Sequence, residues 1–141
     1  MKSLKRYLTE SAGAVQPKSK DELIKILKQR LSSDPDADLN DIDVSRITDM
    51  SSLFYDLDPH NIDISDWDVS HVEYMDGMFY NCRHFNSDLS VWNVSKVKDM
   101  NYMFYNCEHF NANLDKWNVR NVKDMKDTFW HCEVSPRWYK G

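Results

Sequence analysis

Glycine is scarce in this chain, with three residues in 141. So few leave scant material for a tight phosphate cradle. The sequence holds no Walker motif, no G-x-S-x-G and no H-E-x-x-H, so nothing in it points to an enzyme. Four prolines argue against a collagen-like or low-complexity chain. Cys82, Cys107 and Cys132 are odd in number and evenly spaced. That pattern is neither a disulfide framework nor a C-x-x-C zinc site, and it fits a reducing compartment. No apolar run is long enough to cross a bilayer. The opening MKSLKRYLTE has basic residues without an apolar stretch behind them, unlike a secretory signal. Positive charge is not in excess either: the formal net charge is −5 and the pI about 5.4. This balance argues against nucleic acid or an anionic membrane as the main partner. A cytoplasmic location is expected.

What the chain does have is a repeat. WDVSHVEYMDGMFYNCRHFNSDLSV (67–91) is followed at once by WNVSKVKDMNYMFYNCEHFNANLDK (92–116). Trp67, Trp92 and Trp117 mark the register, with Ile42 in the same slot upstream. Further columns are Val44, Val69, Val94, Val119, then Met50, Met75, Met100, Met125, then Phe54, Phe79, Phe104, Phe129. The column Leu57, Cys82, Cys107, Cys132 absorbs every cysteine as a small buried hydrophobe. Self-similarity at a fixed period of this size predicts stacked repeats.

Within one repeat, Val72, Met75, Met78, Phe79 and Cys82 are spaced as one face of a helix. Ser45, Ser70 and Ser95 stand where N-caps would, with Glu73 completing a capping box behind Ser70. Residues 88–91 read as a short strand with Leu89 inward, matched by Leu39, Ile64 and Leu114. Parallel stacking would set such strands about 4.8 Å apart. The expected fold is therefore α/β: a short leucine-rich-repeat-like solenoid of about four strand-plus-helix repeats with an N-terminal capping helix. Residues 1–18 read as an N-terminal peptide and flexible linker, and 19–141 as a single domain. Within it, 19–37 form the capping helix and turn, 38–133 the repeats, and 134–141 the C-terminal cap. Ser19 is the expected N-cap of the helix, with Leu23, Ile26, Leu27 and Leu31 as its apolar face. At the other end Trp138 and Tyr139 can cover the last Phe. Two caps argue for a monomer.

The phrase W-[DN]-V-S-x-V-x-x-M-x-x-M-F-x-x-C-x-x-F-N-x-x-L resembles the repeat of the BspA-like leucine-rich-repeat surface proteins. The resemblance spans roughly residues 38–135. It implies a solenoid used for binding rather than catalysis, in a family of exported or anchored bacterial proteins found also in viruses and phages. This chain departs from them in showing no signal, lipobox cysteine or anchor. A second resemblance, of MKSLKRYLTE to tailed-phage head-targeting peptides, implies cleavage after Leu8-Thr9-Glu10 and a location in the virion or host cytoplasm.

Two surfaces are candidates for binding. Tyr55, Tyr80, Tyr105 and Trp130 each follow the buried Phe of their repeat, and Tyr102 adds to that aromatic flank. The alternative role for these rings is stacking between repeats; the two roles are not exclusive. Asp38, Asp63 and Asp88, with Asp115 from the adjacent column, make an acidic strip suited to a basic partner or Ca²⁺. Ordinary turn hydrogen bonding is the alternative. His84 and His109 share a slot without a carboxylate column beside them, so they read as loop residues. No metal and no cofactor are expected. The expected function is a non-catalytic protein-binding repeat module with a protein partner. Alternatives are a phage-encoded accessory or packaged protein that blocks a host or defence factor, and a surface adhesion fragment.

Overall fold

The structure is a computed structural model that describes residues 15–141. The stretch that resembles a head-targeting peptide, its Leu8-Thr9-Glu10 motif and the first part of the expected linker lie outside the described residues. Helix α1 spans Lys20–Ser33. Ser19 starts it in an extended conformation, and its side chain accepts from the Glu22 N–H. Glu22 reaches back in turn, accepting at 2.7 Å from the Lys18 N–H. These contacts satisfy donors that a helix start leaves open. Leu23, Leu27 and Leu31 are buried, one per turn, while Ile26 packs at the edge of the core. Arg30 closes the other end with two bonds to the Asp41 carboxylate, at 2.7 and 2.9 Å, so the helix clamps onto the first repeat.

The expected α/β strand-plus-helix solenoid is corrected by the structure. Among the described residues α1 is the only helix, and pairing is confined to isolated parallel bridges, without a sheet. The segments spaced like helices are runs of tight turns. Residues Ser52, Gly77, Tyr102 and Asp127 have φ between 50° and 62°, and so do Asn81, Asn106 and His131, at 54° to 60°. Left-handed residues recurring every fourth position forbid an α-helix, which needs an unbroken right-handed run. Ser45, Ser70 and Ser95 cap nothing. Their N–H groups donate instead to Asp43, Asp68 and Asn93 Oδ1, two residues back. The expected strand at 88–91 contains no bridge, and Ser90 N–H donates to Asp88 Oδ1 in the same kind of turn.

The backbone bonds explain how such turns hold together. Met78, Tyr80 and Cys82 donate within their own unit, to Met75, Gly77 and Phe79. The alternate residues Met75, Gly77, Phe79 and Asn81 donate to Asp99, Asn101, Met103 and Tyr105 of the next unit, at 2.8–3.0 Å. Half of the donors thus close turns and half join neighbours, so few buried groups go unmet. The same alternation links the 50–54 and 100–106 segments to the units that follow them.

The core fills the space these turns enclose. Phe54, Phe79, Phe104 and Phe129 stack face to face at 5.1, 5.5 and 5.4 Å. Phe85 and Phe110 wedge against the row at 4.1 and 4.4 Å. Each buried Phe contributes about 2–3 kcal/mol, and an offset ring pair adds about 1 kcal/mol. A tryptophan row runs beside them. The indoles of Trp67, Trp92 and Trp117 donate to the carbonyls of Leu39, Ile64 and Leu89, at 2.9–3.0 Å. Trp138 repeats this bond to Leu114 at 2.8 Å and stacks on Trp117, although it falls short of the 25-residue register. Tyr139 and Trp138 both meet Phe129 edge-on. Three polar residues are buried, Asn40, Ser87 and Thr128; Thr128, in the slot of Met78 and Met103, has its hydroxyl 2.9 Å from the Met100 and Met125 carbonyls.

Candidate functional site

The aromatic residues form a continuous ladder up one side. Ring centroids of Tyr55 and Tyr80 are 6.0 Å apart, those of Tyr80 and Tyr105 4.8 Å, and those of Tyr105 and Trp130 4.5 Å. Tyr102 meets Tyr80 and Tyr105 edge-on. Tyr55 and Trp130 at the two ends are 50% and 44% exposed, while the rings between are half-buried by one another. Stacking between repeats and exposure to solvent therefore coexist.

The ladder borders a cleft of about 340 Å³ whose lining includes Tyr55, Tyr80, Tyr102, Asp76 and Asp99. Burial pushes the Asp76 carboxyl above the ordinary carboxylate range, and the charges of Asp99 and Asp49 push it further. At the margin of this acidic row the Lys20 ammonium of α1 sits 3.3 Å from Asp49 and 2.9 Å from the Ser51 hydroxyl. The chain thus places one of its own ammonium groups against this row.

The expected acidic strip is bound up with local turns. Asp38, Asp63 and Asp88 each accept at Oδ1 from the N–H two residues on. Asp63 also takes the Ser65 hydroxyl at 2.7 Å. The Ser90 hydroxyl, then its N–H, hold the Asp88 carboxyl below its ordinary range. Asp115 is engaged by the C-terminal cap: it accepts the Arg137 N–H at 2.9 Å and pairs with the guanidinium at 3.5 Å.

The cysteines lie along the inside of the turns. Cys82 and Cys107 are buried and donate to the Phe54 and Phe79 carbonyls. Burial raises all three thiols, Cys132 to about 11, which keeps them protonated and poorly nucleophilic. The histidines gather differently from their sequence slots. His60 and His84 face each other across adjacent units at 4.7 Å, and both contact Asp58.

Residues 24–137 match the family model described as "Mycoplasma protein of unknown function, DUF285". The chain belongs to the DUF285 family. No curated protein matches it, and no solved structure does. No helix among the described residues is long and apolar enough to cross a membrane.

The DUF285 match takes in most of α1, every rung of the aromatic ladder and the Asp58 cluster. Two features of this DUF285 chain escaped sequence reasoning. Asp99 shares a slot with Asp49 and Asp124, whereas Asp76 stands where the other repeats have Ser51, Asn101 and Lys126, yet the turns bring Asp76 and Asp99 to one cleft. Asp58 and His60 likewise belong to columns filled elsewhere by other residue types, such as Arg83 and Phe85. The available signal was the irregularity itself, since a departure from a repeat frees a position for a local role.

Proposed function

We propose that this DUF285 protein is a non-catalytic protein-binding module, and that its aromatic ladder receives a partner presenting lysine or arginine. The observation that carries this reading is the cleft where Tyr55, Tyr80 and Tyr102 stand beside Asp76 and Asp99. Aromatic faces and carboxylates together suit a cationic side chain, through cation–π attraction and ion pairing. The crowding of Asp76 with Asp99 and Asp49 is relieved when a cation arrives. Tyr102 adds support, since it meets both Tyr80 and Tyr105 edge-on and widens the aromatic face. The protein acts as a monomer in the cytoplasm.

A pull-down from cell lysate tests the reading, with wild type beside a folded Tyr80→Ser, Tyr105→Ser variant and a folded Asp76→Asn variant. A prey held by wild type, lost by both variants and released by salt is the expected result. A prey held equally by all three would move the partner to the acidic strip or the caps. No prey at all would overturn a host-protein role. The resemblance to BspA-like surface repeats supports a second reading as an adhesion fragment. The N-terminal resemblance supports a third, a packaged phage protein that blocks a host or defence factor. Mass measurement of the mature chain separates that one: it requires cleavage after Glu10.

A further inference from the structure

Asp58, His60 and His84 converge where two successive units meet, on residues independent of the aromatic ladder. Asp58 Oδ1 lies 3.0 Å from His84 Nδ1, and Oδ2 lies 3.4 Å from His60 Nε2. One ligand atom from each of the three residues falls within 4.8 Å of the others. Donors around a tetrahedral ion at about 2.0–2.2 Å stand roughly 3.3–3.6 Å from each other. The observed separations bracket that requirement, so a small closing movement of side chains suffices.

The backbones that carry these residues are fixed on both sides. His60 N–H donates to Pro35 at 2.8 Å, and its carbonyl accepts from Asn86 of the next unit. His84 sits between Cys82 and Phe85, which are joined by a turn bond and both buried. Asp58 is in the left-handed region at φ 48°, a conformation that Asp tolerates better than most residues. His109 takes no part: its Nδ1 is 2.7 Å from the Arg83 carbonyl, and its ring stacks on that of His84.

We propose that the Asp58 carboxylate, His60 Nε2 and His84 Nδ1 hold a divalent transition-metal ion. Two imidazoles and one carboxylate suit zinc, with a fourth position open to water or to a donor from a bound protein. The ion would tie residues 58–60 of one unit to residue 84 of the next, and so stabilise the folded chain by an amount that grows with the logarithm of the free ion concentration above the dissociation constant.

Calorimetric titration of the full chain with ZnCl₂ tests this, near neutral pH and with no polyhistidine tag. One equivalent per chain is expected, with a matching rise in melting temperature. Losing even a hydrogen-bond partner of a metal ligand costs ~10–100-fold in affinity, so His84→Asn and Asp58→Asn should each weaken binding about tenfold or more. His109→Asn should bind as wild type does. If His84→Asn fails to fold, His60→Asn answers the same question. Absence of saturable binding, or equal binding by wild type and the ligand variants, would overturn the site.

Discussion

Trp92 shows what a single residue does for stability here. It is 4% exposed, its ring stacks parallel to Trp67 at 6.4 Å, and its indole donates to the Ile64 carbonyl. That carbonyl already accepts the Trp67 N–H. It therefore keeps one partner when the indole is removed, and the volume of the ring matters more than its bond. Trp92→Ala is expected to lose roughly 3–5 kcal/mol in urea denaturation, the range for large core truncations. Trp92→Phe should lose only about 1–2 kcal/mol, the scale of one hydrogen bond and a partial void. A loss below about 1 kcal/mol for Trp92→Ala would mean that the side chain is not packed in the core. The residue columns were legible in the sequence because burial depends on identity and period, and both are printed there. The local roles of Asp58 and Asp76 were not, since they depend on which slots the turns bring together.

At the scale of the element, the sequence spoke clearly for α1 and misled for the repeats, for one physical reason. α1 has side-chain bonds at its start and a leucine at every turn, and no left-handed residue interrupts it. In the repeats Met75, Met78, Phe79 and Cys82 are all buried, as a helical face requires. Successive tight turns bring the same spacing to the same side, so periodicity alone cannot separate the two. The deciding signal was Gly77 together with Asn81 and Asn106, residues that tolerate positive φ. Gly77 offers a direct test. An added Cβ would lie 3.4 Å from Ser52 Oγ, so space is adequate and backbone conformation sets the cost. Gly77→Ala should destabilise by about 1–2 kcal/mol. The same change in an α-helix would stabilise by about 1 kcal/mol. The sign of the shift in the denaturation midpoint thus distinguishes stacked turns from a helix.

For the whole molecule, each unit is completed by the next, so the last one must end on something else. Donors of the 100–106 segment reach Asp124, Lys126, Thr128 and Trp130, and among the described residues the repeat spacing is not continued after these. The C-terminal segment closes the apolar side instead. Trp138 supplies a final ring and indole bond to the tryptophan row, and Tyr139 covers Phe129. Arg137 secures the segment on Asp115. With Trp138 and Tyr139 replaced, Trp117 and Phe129 would face water beside unpaired backbone donors, the arrangement that promotes edge-to-edge association. A Trp138→Ser, Tyr139→Ser chain should therefore lose about 2–3 kcal/mol of stability through the exposed rings. It should also form dimers or larger species as concentration rises in sedimentation experiments, to a greater extent than wild type run beside it. If the double variant stays monomeric and as stable as wild type, the stack is closed elsewhere, and the C-terminal cap is only an appendage.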